Sequence, residues 1–291
     1  MHIVMTYVNP GDPVFIPDPG YPTYASAARI AGADLITYDL LEATGWQPDF
    51  ATLEFQIQQI RAAKKLPSDR ELLLFLNYPH MPTGQLPEKQ HFEEWVRFAR
   101  EHHLLLIHDN PYSFILNENP LSLLEVSGSL DVAIELNSLS KSHNMAGWRV
   151  GCLLANAQRV NEILRFKSNM DSGMFLPVQL AAAHALGLPI SWHESLNDIY
   201  RSRREIVYNL LQKLNCRFST RQAGLFVWGG IPEGCSDGYA FSDAILQQAR
   251  VFITPGGIFG KNGLPYIRIS LCQPESIIEE AQQRIAAHFK L

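Results

Sequence analysis

Two continuous apolar runs constrain the fold more than any other feature of the sequence. Residues 72–76 and 104–107 contain only leucine, isoleucine and phenylalanine, and turn signals follow each run. Runs of this kind are typical of strands buried on both faces of a sheet. A third strand is predicted over residues 132–136, and a helix over residues 88–102 separates the first two. Strands separated by helices predict a doubly wound, mostly parallel α/β sheet.

Weaker patterns extend this organisation toward the start of the chain. Residues 1–8 have the pattern of the end of a helix that stops at Asn9-Pro10-Gly11, and no capping residue precedes them. Residues 14–16 predict a short buried strand, and residues 24–31 predict a helix. The first part of the chain is therefore predicted to belong to the same α/β unit.

The last third of the chain has a different pattern, a long helix followed by short strands. The long helix is predicted over residues 191–214, and a terminal helix over residues 274–288. Between them, short strands are predicted at residues 225–228, 251–254 and 266–270. We therefore expect a large domain over residues 1–200 and a smaller α+β domain over residues 201–291.

Composition and charge exclude several classes of function. The 291 residues carry a net charge of −5, so neither a nucleic-acid-binding surface nor a polybasic membrane patch is expected. No apolar stretch approaches the length of a membrane-spanning helix. The cysteines, Cys152, Cys216, Cys235 and Cys272, lack the spacing of a zinc site, so no metal is predicted. Reduced thiols in a cytoplasmic protein are the expectation.

Polar side chains gather where the three predicted strands end. In open α/β sheets, ligands bind beyond the carboxyl ends of the strands. Residues 77–84 follow the first strand, residues 109–112 the second and residues 138–141 the third, and Arg149 lies a little further along. A carboxylate, a phenol, two hydroxyls, a lysine and an arginine are therefore expected to converge at one edge of the sheet.

Lys141 is the most informative residue of this group, because no acidic side chain lies within residues 137–151. A lysine in apolar surroundings can act as an amine nucleophile. Pyridoxal 5′-phosphate requires such a lysine for a Schiff base, a carboxylate that keeps its pyridine nitrogen protonated, and donors that bind its phosphate. The predicted edge of the sheet offers all three.

Five motifs, in the same order along the chain, resemble those of the fold-type I pyridoxal-phosphate-dependent aminotransferases of class I/II. They lie at residues 17–22, 78–84, 109–112, 138–149 and 266–270, and the resemblance spans nearly the whole chain. It is strongest to the branch with LL-diaminopimelate and alanine-type enzymes. It implies ping-pong transfer of an amino group between an amino acid and a 2-oxo acid. A homodimer is implied by this resemblance and by no other feature of the sequence.

The resemblance also implies three catalytic residues. Lys141 would form the Schiff base and move the proton at the substrate α-carbon. Asp109 would pair with the pyridine nitrogen, and Tyr112 would donate a hydrogen bond to the phenolic oxygen of the ring.

Further residues would bind the cofactor and the substrate by the same resemblance. Tyr21 would stack on the pyridine ring, and Arg268 would bind the substrate α-carboxylate. The phosphate would be held by Ser138, Ser140 and Arg149.

Met81 departs from the family pattern within the predicted cofactor site. The family usually has asparagine directly before Pro-Thr-Gly, where its amide donates to the phenolic oxygen. Methionine cannot donate a hydrogen bond. We therefore expect Tyr112 alone to support that oxygen, and the visible absorbance of the loaded protein to titrate at higher pH than in relatives.

The start of the chain is a second departure. In the family, a substantial region precedes the position of Met1 and carries a substrate-covering arm and a Gly-rich phosphate-binding segment. The uncapped helix over residues 1–8 has the pattern of a helix severed from that segment. If nothing precedes Met1, weak cofactor binding and little activity are expected.

Three alternative functions stay open from the residues alone. A lyase of the same fold would use the same Schiff base. Ser138 and Lys141 also fit the Ser-x-x-Lys acylating motif of penicillin-binding proteins and β-lactamases, although neither Ser-Asp-Asn nor Lys-Thr-Gly follows. A truncated cofactor-binding chain with little activity is the non-enzymatic alternative.

Overall fold

A six-stranded sheet organises the larger part of the molecule, a computed structural model that describes residues 1–171 and 173–289. Its strands are β1 (Pro13–Asp18), β2 (Asp34–Asp39), β3 (Leu72–Asn77), β4 (Leu104–Asp109), β5 (Ala133–Ser138) and β6 (Gly151–Leu154). They are ordered β2-β1-β3-β4-β5-β6, with β1 to β5 parallel and β6 antiparallel to β5. The predicted doubly wound, mostly parallel sheet is confirmed.

Helices cover both faces of this sheet. They are α1 (His2–Tyr7), α2 (Pro22–Ile30), α3 (Phe50–Lys64), α4 (Lys89–Glu101), α5 (Leu139–Ser142), α6 (Ala157–Met170), α7 (Leu176–Leu186) and α8 (Ile190–Lys213). Leu74 belongs to the core that contains side chains of α3 and α4, whereas its neighbour Leu73 belongs to the core with α1, α2 and α6. Because successive side chains of a strand point to opposite faces, β3 needs apolar residues at every position.

A smaller antiparallel sheet follows. Its strands are β7 (Phe226–Gly230), β8 (Thr254–Pro255) and β9 (Tyr266–Ser270), in the order β7-β9-β8, with helices α9 (Gly238–Ala249) and α10 (Glu275–His288) beside it. The strand predicted at residues 251–254 is wrong, because only Thr254 and Pro255 pair with β9. Arg250 adopts a left-handed conformation at the end of α9, and the Ile253 side chain is buried in the hydrophobic core without strand pairing.

Helix α8 connects the two sheets without a break through residue 200. The division into residues 1–200 and 201–291 stays a prediction. Among the described residues, no helix is long and apolar enough to cross a membrane.

Candidate active site

A cavity of about 370 Å³ lies beyond the carboxyl ends of β1, β3, β4 and β5. Its lining includes every residue that the sequence analysis selected: Tyr21, Met81, Asp109, Tyr112, Ser138, Ser140, Lys141, Arg149 and Arg268. The cavity also includes Tyr24, Asn77 and Phe226, which the sequence analysis did not assign to the site. Its volume lies within the range of small-molecule and cofactor sites.

Lys141 lies on the short helix α5, directly after β5, and its side chain is half-buried. The hydroxyl of Ser138 accepts a hydrogen bond of 3.2 Å from the Ser140 backbone N–H and so fixes the start of this helix. No carboxylate or hydrogen-bond acceptor among the described residues contacts the Lys141 Nζ atom. Lys141 therefore lines the cavity without a bonded partner among the described residues.

Asp109 ends β4 and meets a tyrosine that sequence reasoning missed. The Tyr24 hydroxyl donates a 2.7 Å hydrogen bond to Asp109 Oδ2, and the Tyr24 ring stacks on Phe75. Burial raises the pKa of Asp109, while the Tyr24 O–H and nearby His108 offset part of that rise. Tyr24 thus orients the carboxylate and leaves Oδ1 for another donor.

Tyr112 lies in the same cavity with its side chain buried. Burial, followed by the negative charge of Asp109, raises the pKa of the Tyr112 hydroxyl well above its usual value. The hydroxyl therefore stays protonated and is available as a hydrogen-bond donor.

Arg268, on β9, reaches the cavity from the smaller sheet. Its guanidinium lies 3.8 Å from the ring centre of Phe226 and 4.5 Å from that of Phe259, and Nη1 lies 3.2 Å from Met81 Sδ. No acidic side chain among the described residues pairs with it, and its buried Nε has no partner there. Burial lowers the pKa of this guanidinium. A buried cation of this kind is stabilised by an anionic ligand.

The predicted phosphate-binding residues surround Lys141. Ser138 and Ser140 lie on either side of Leu139 in the chain, and Arg149 lines the same cavity. Arg149 is exposed, adopts a left-handed φ of 52°, and donates through Nη1 to the Ala146 carbonyl at 2.9 Å. Two hydroxyls and a guanidinium are suited to a phosphate group.

Asn77 and Met81 determine the shape of the loop after β3. The Asn77 side chain donates to the Asp109 carbonyl and accepts a 2.7 Å hydrogen bond from the Met81 backbone N–H. Asn77 therefore ties the end of β3 to the backbone at the end of β4 and to the backbone at Met81, which uses one of its two amide hydrogens. Met81 presents only a thioether at the position where the resemblance places an asparagine.

These groups fit pyridoxal 5′-phosphate. The free amine of Lys141 suits its aldehyde, the unshared oxygen of Asp109 suits its pyridine N–H, and the hydroxyls with Arg149 suit its phosphate. The fold and this donor set define a fold-type I, pyridoxal-phosphate-dependent enzyme. The sequence profile of the family "Aminotransferase class I and II" matches residues 2–285. The chain belongs to this family.

Similar proteins support the same class. The LL-diaminopimelate aminotransferase of Desulforudis audaxviator is 40% identical over 286 residues, which are 98% of this chain and 70% of that protein. The corresponding enzyme of Oleidesulfovibrio alaskensis is 38% identical, over 98% of this chain and 72% of its own. The solved structure of apo-BacF from Bacillus subtilis has a TM-score of 0.88 and 33% identity, over 98% of this chain and 74% of that one.

The chain is therefore a pyridoxal-phosphate-dependent aminotransferase that acts on amino acids and 2-oxo acids. The expected reaction and cofactor are confirmed at this level. The lyase, acylating and non-enzymatic alternatives are not favoured, because the relatives with these identities are named as aminotransferases.

Proposed function

We propose that the chain transaminates an amino acid of the LL-diaminopimelate type with a 2-oxo acid as acceptor. The site residues support transfer through Lys141, because its amine and the Asp109 carboxylate line one cavity with the Arg268 guanidinium, which pairs with no acidic side chain among the described residues. The similarity to LL-diaminopimelate aminotransferases supports the choice of donor.

Each residue has a distinct chemical task in this proposal. When bound, pyridoxal 5′-phosphate supplies an aldehyde that reacts with amines and a conjugated ring that stores the electron pair released at the substrate α-carbon. Lys141 would hold the aldehyde through its amine and would move the proton at the substrate α-carbon as a general base and acid. Asp109 would keep the pyridine nitrogen protonated.

Binding residues orient the reacting groups. Tyr112 would donate its O–H to the phenolic oxygen, and Tyr21, a residue that is 44% exposed, would cover one face of the pyridine. Ser138, Ser140 and Arg149 would hold the phosphate. Arg268 binds the α-carboxylate of the substrate, which places the α-carbon within reach of Lys141.

The experiment compares amino donors with one acceptor. LL-diaminopimelate, alanine and aspartate are each incubated with the loaded protein and 2-oxoglutarate, and glutamate, the new 2-oxo acid and ammonia are measured. We expect LL-diaminopimelate to give a kcat/KM at least about 10-fold above the other donors, without ammonia. Equal rates for all donors would refute the substrate assignment, and ammonia release would indicate a lyase.

We also propose a cytoplasmic homodimer with domains at residues 1–200 and 201–291. The resemblance to the family supports the dimer, and so do large exposed apolar side chains near α7, including Phe175 at 71% and Leu180 at 62% exposed. Four free cysteines are compatible with a reducing compartment. Light scattering during gel filtration should give twice the chain mass of 32.8 kDa. A monomer at micromolar concentration would refute the dimer.

Replacing Arg268 with glutamine should mainly weaken substrate binding. Glutamine keeps the approximate shape but loses the charge, so KM for the amino donor should rise about 100-fold, equivalent to about 2.7 kcal/mol. Arg268→Lys should recover part of the loss. Steady-state kinetics test this, with Arg221→Gln as the control because Arg221 is exposed and lies outside the cavity lining. An unchanged KM for Arg268→Gln would rule out carboxylate binding by this residue.

Replacing Met81 with asparagine should lower the pH at which the visible absorbance of the loaded protein changes. An amide at this position adds a hydrogen-bond donor that stabilises the ring phenolate, so a downward shift of about one pH unit is expected. Tyr112→Phe removes the other donor and should shift the midpoint upward. Spectrophotometric titration measures both changes. If Met81→Asn leaves the midpoint in place, residue 81 does not face the phenolic oxygen.

A further inference from the structure

A buried histidine–glutamate pair lies directly behind the active site. His108 on β4 and Glu135 on β5 are partners in the register of these parallel strands, and they are 0% and 4% exposed. His108 Nδ1 lies 2.9 Å from Glu135 Oε2, and His108 Nε2 lies 3.0 Å from the Tyr78 carbonyl oxygen. Because neighbouring side chains of a strand point to opposite faces, His108 faces away from the cavity that Asp109 enters.

The hydrogen bonds of the pair require two hydrogens. The Tyr78 carbonyl only accepts, so His108 Nε2 must carry a hydrogen, and the contact between Nδ1 and Oε2 requires a second. Burial alone would raise the pKa of Glu135, but hydrogen bonds from His108, Ser122 and Asn110 lower it below its usual value. The second proton therefore resides on the imidazole, and the pair is an ion pair inside the protein.

Two loops that carry active-site residues, the one after β3 and the one after β4, are connected through this pair. Glu135 Oε2 also accepts from the Ser122 hydroxyl at 3.0 Å and from the Leu123 backbone N–H at 2.9 Å. Glu135 Oε1 accepts a 3.2 Å bond from the Asn110 amide. The bonds thus reach the Tyr78 backbone carbonyl, three residues before Met81, and the side chain of Asn110, which follows Asp109.

Charge provides a second link to the site. The charge on His108 lowers the pKa of Asp109, opposing the rise caused by burial. The other titratable groups near the pair are the Tyr78 phenol, which donates to Trp46 and Gln47 instead, and Cys152, whose pKa is raised first by burial and then by the charge of Glu135. Among the described residues, His108 is therefore the cation that acts on Asp109 from behind the sheet.

We propose that His108 and Glu135 form a positioning pair for the aminotransferase reaction, which fixes the loops after β3 and β4 and acts on Asp109 from behind the sheet. Neither residue lines the cavity, so neither is a catalytic residue. The pair acts through Asp109, through the Tyr78 backbone carbonyl and through the Asn110 side-chain amide. This inference uses the assigned transaminase activity and does not depend on the identity of the amino donor.

The sharpest test is the double variant His108→Gln with Glu135→Gln. Two amides retain hydrogen-bonding groups in the same space and leave no unpaired buried charge. Without the imidazolium, the pKa of Asp109 should rise, so Asp109 should become protonated at a higher pH. The acidic limb of the kcat/KM profile, and the acid-side change in visible absorbance of the loaded protein, should both move upward by roughly half to one pH unit.

Two controls distinguish positioning from simple support of the fold. Ser122→Ala removes one bond to Glu135 but keeps the ion pair. Tyr38→Phe removes a buried 2.7 Å bond to the Phe75 carbonyl on β3 without touching the pair. Both should lower the unfolding temperature and leave the acidic limb and the absorbance midpoint in place. Wild-type midpoints in a folded double variant would overturn the proposal.

Unfolding of the cofactor-free protein gives a readout that needs no activity. The folded pKa of Glu135 is lowered, so its stabilisation is present above the unfolded value of about 4.3 and is lost as pH falls through the folded pKa. The wild type should therefore lose more stability than the double variant between about pH 5 and pH 3. If the double variant fails to fold, the single variant Glu135→Gln, which removes the anion that pairs with His108, should shift the acidic limb in the same direction. No shift in Glu135→Gln would then refute the proposal.

Discussion

A Lys141→Ala variant is expected to lose at least about 10³-fold of its transamination rate. Alanine removes both the amine that binds the cofactor aldehyde and the base that moves the α-proton, and proton transfer alone contributes about 10²- to 10⁴-fold. The visible absorbance that reports covalent attachment of the cofactor to lysine should also disappear. Non-covalent binding should persist, because Asp109, Arg149 and the serine hydroxyls stay in place.

An exposed lysine provides the matched control. Lys89 is 73% exposed and pairs only loosely with Glu93, so Lys89→Ala should keep wild-type rate and absorbance. Stopped assays measure the transamination rate of each variant, and absorbance scans measure its lysine-bound cofactor. A Lys141→Ala protein that still turns over within 10-fold of the wild type would show that another amine carries the reaction.

An Asp109→Asn variant is expected to keep the cofactor but lose about 10²- to 10³-fold in kcat. Asparagine retains the hydrogen bond from the Tyr24 hydroxyl, yet it cannot hold a proton on the pyridine nitrogen as a carboxylate does. The loss should therefore appear in kcat more than in the KM for the amino donor. Single-turnover kinetics separate the two quantities.

The control for this variant is an aspartate on the surface. Asp131 is 75% exposed and pairs with Arg100, so Asp131→Asn should leave kcat within about twofold of the wild type. Wild-type kcat in Asp109→Asn would mean that the pyridine nitrogen has another partner.

The central sheet was predictable because two of its strands have continuous apolar sequences. Strands buried on both faces require uninterrupted apolar side chains, so β3 and β4 were recognised within one or two residues. Strand β2 was missed because it pairs with β1 alone at the edge of the sheet, and its sequence has neither a long apolar run nor strict alternation of polar and apolar residues. Strand β6 is a short, largely exposed antiparallel edge strand without a strong pattern.

Three missed helices have start signals that the sequence does contain. Asp49 accepts from the Ala51 backbone N–H at 3.0 Å, Asn156 from Arg159 at 2.9 Å and Asp237 from Ala240 at 2.9 Å. These are N-cap hydrogen bonds at the starts of α3, α6 and α9. Reading each capping residue together with the residues that follow it would have found these helices.

The grouping of the site residues could be predicted, but its supporting contacts could not. Strand ends meet at one edge of a parallel sheet, so Asp109 and Lys141 were expected to converge. Tyr24 and Asp109 are 85 positions apart, and their hydrogen bond depends on how α2 packs on the sheet. The pairing of His108 with Glu135 likewise depends on the register of β4 against β5.

The most direct test of the account is to locate the lysine that carries the cofactor. The loaded protein is reduced with borohydride, digested and analysed by peptide mass spectrometry. The peptide that contains Lys141 should gain the mass of the reduced cofactor, whereas peptides with other lysines, such as Lys89 and Lys213, should not. Modification of a different lysine, or of none, would contradict the assignment of Lys141 as the amine on which transamination depends.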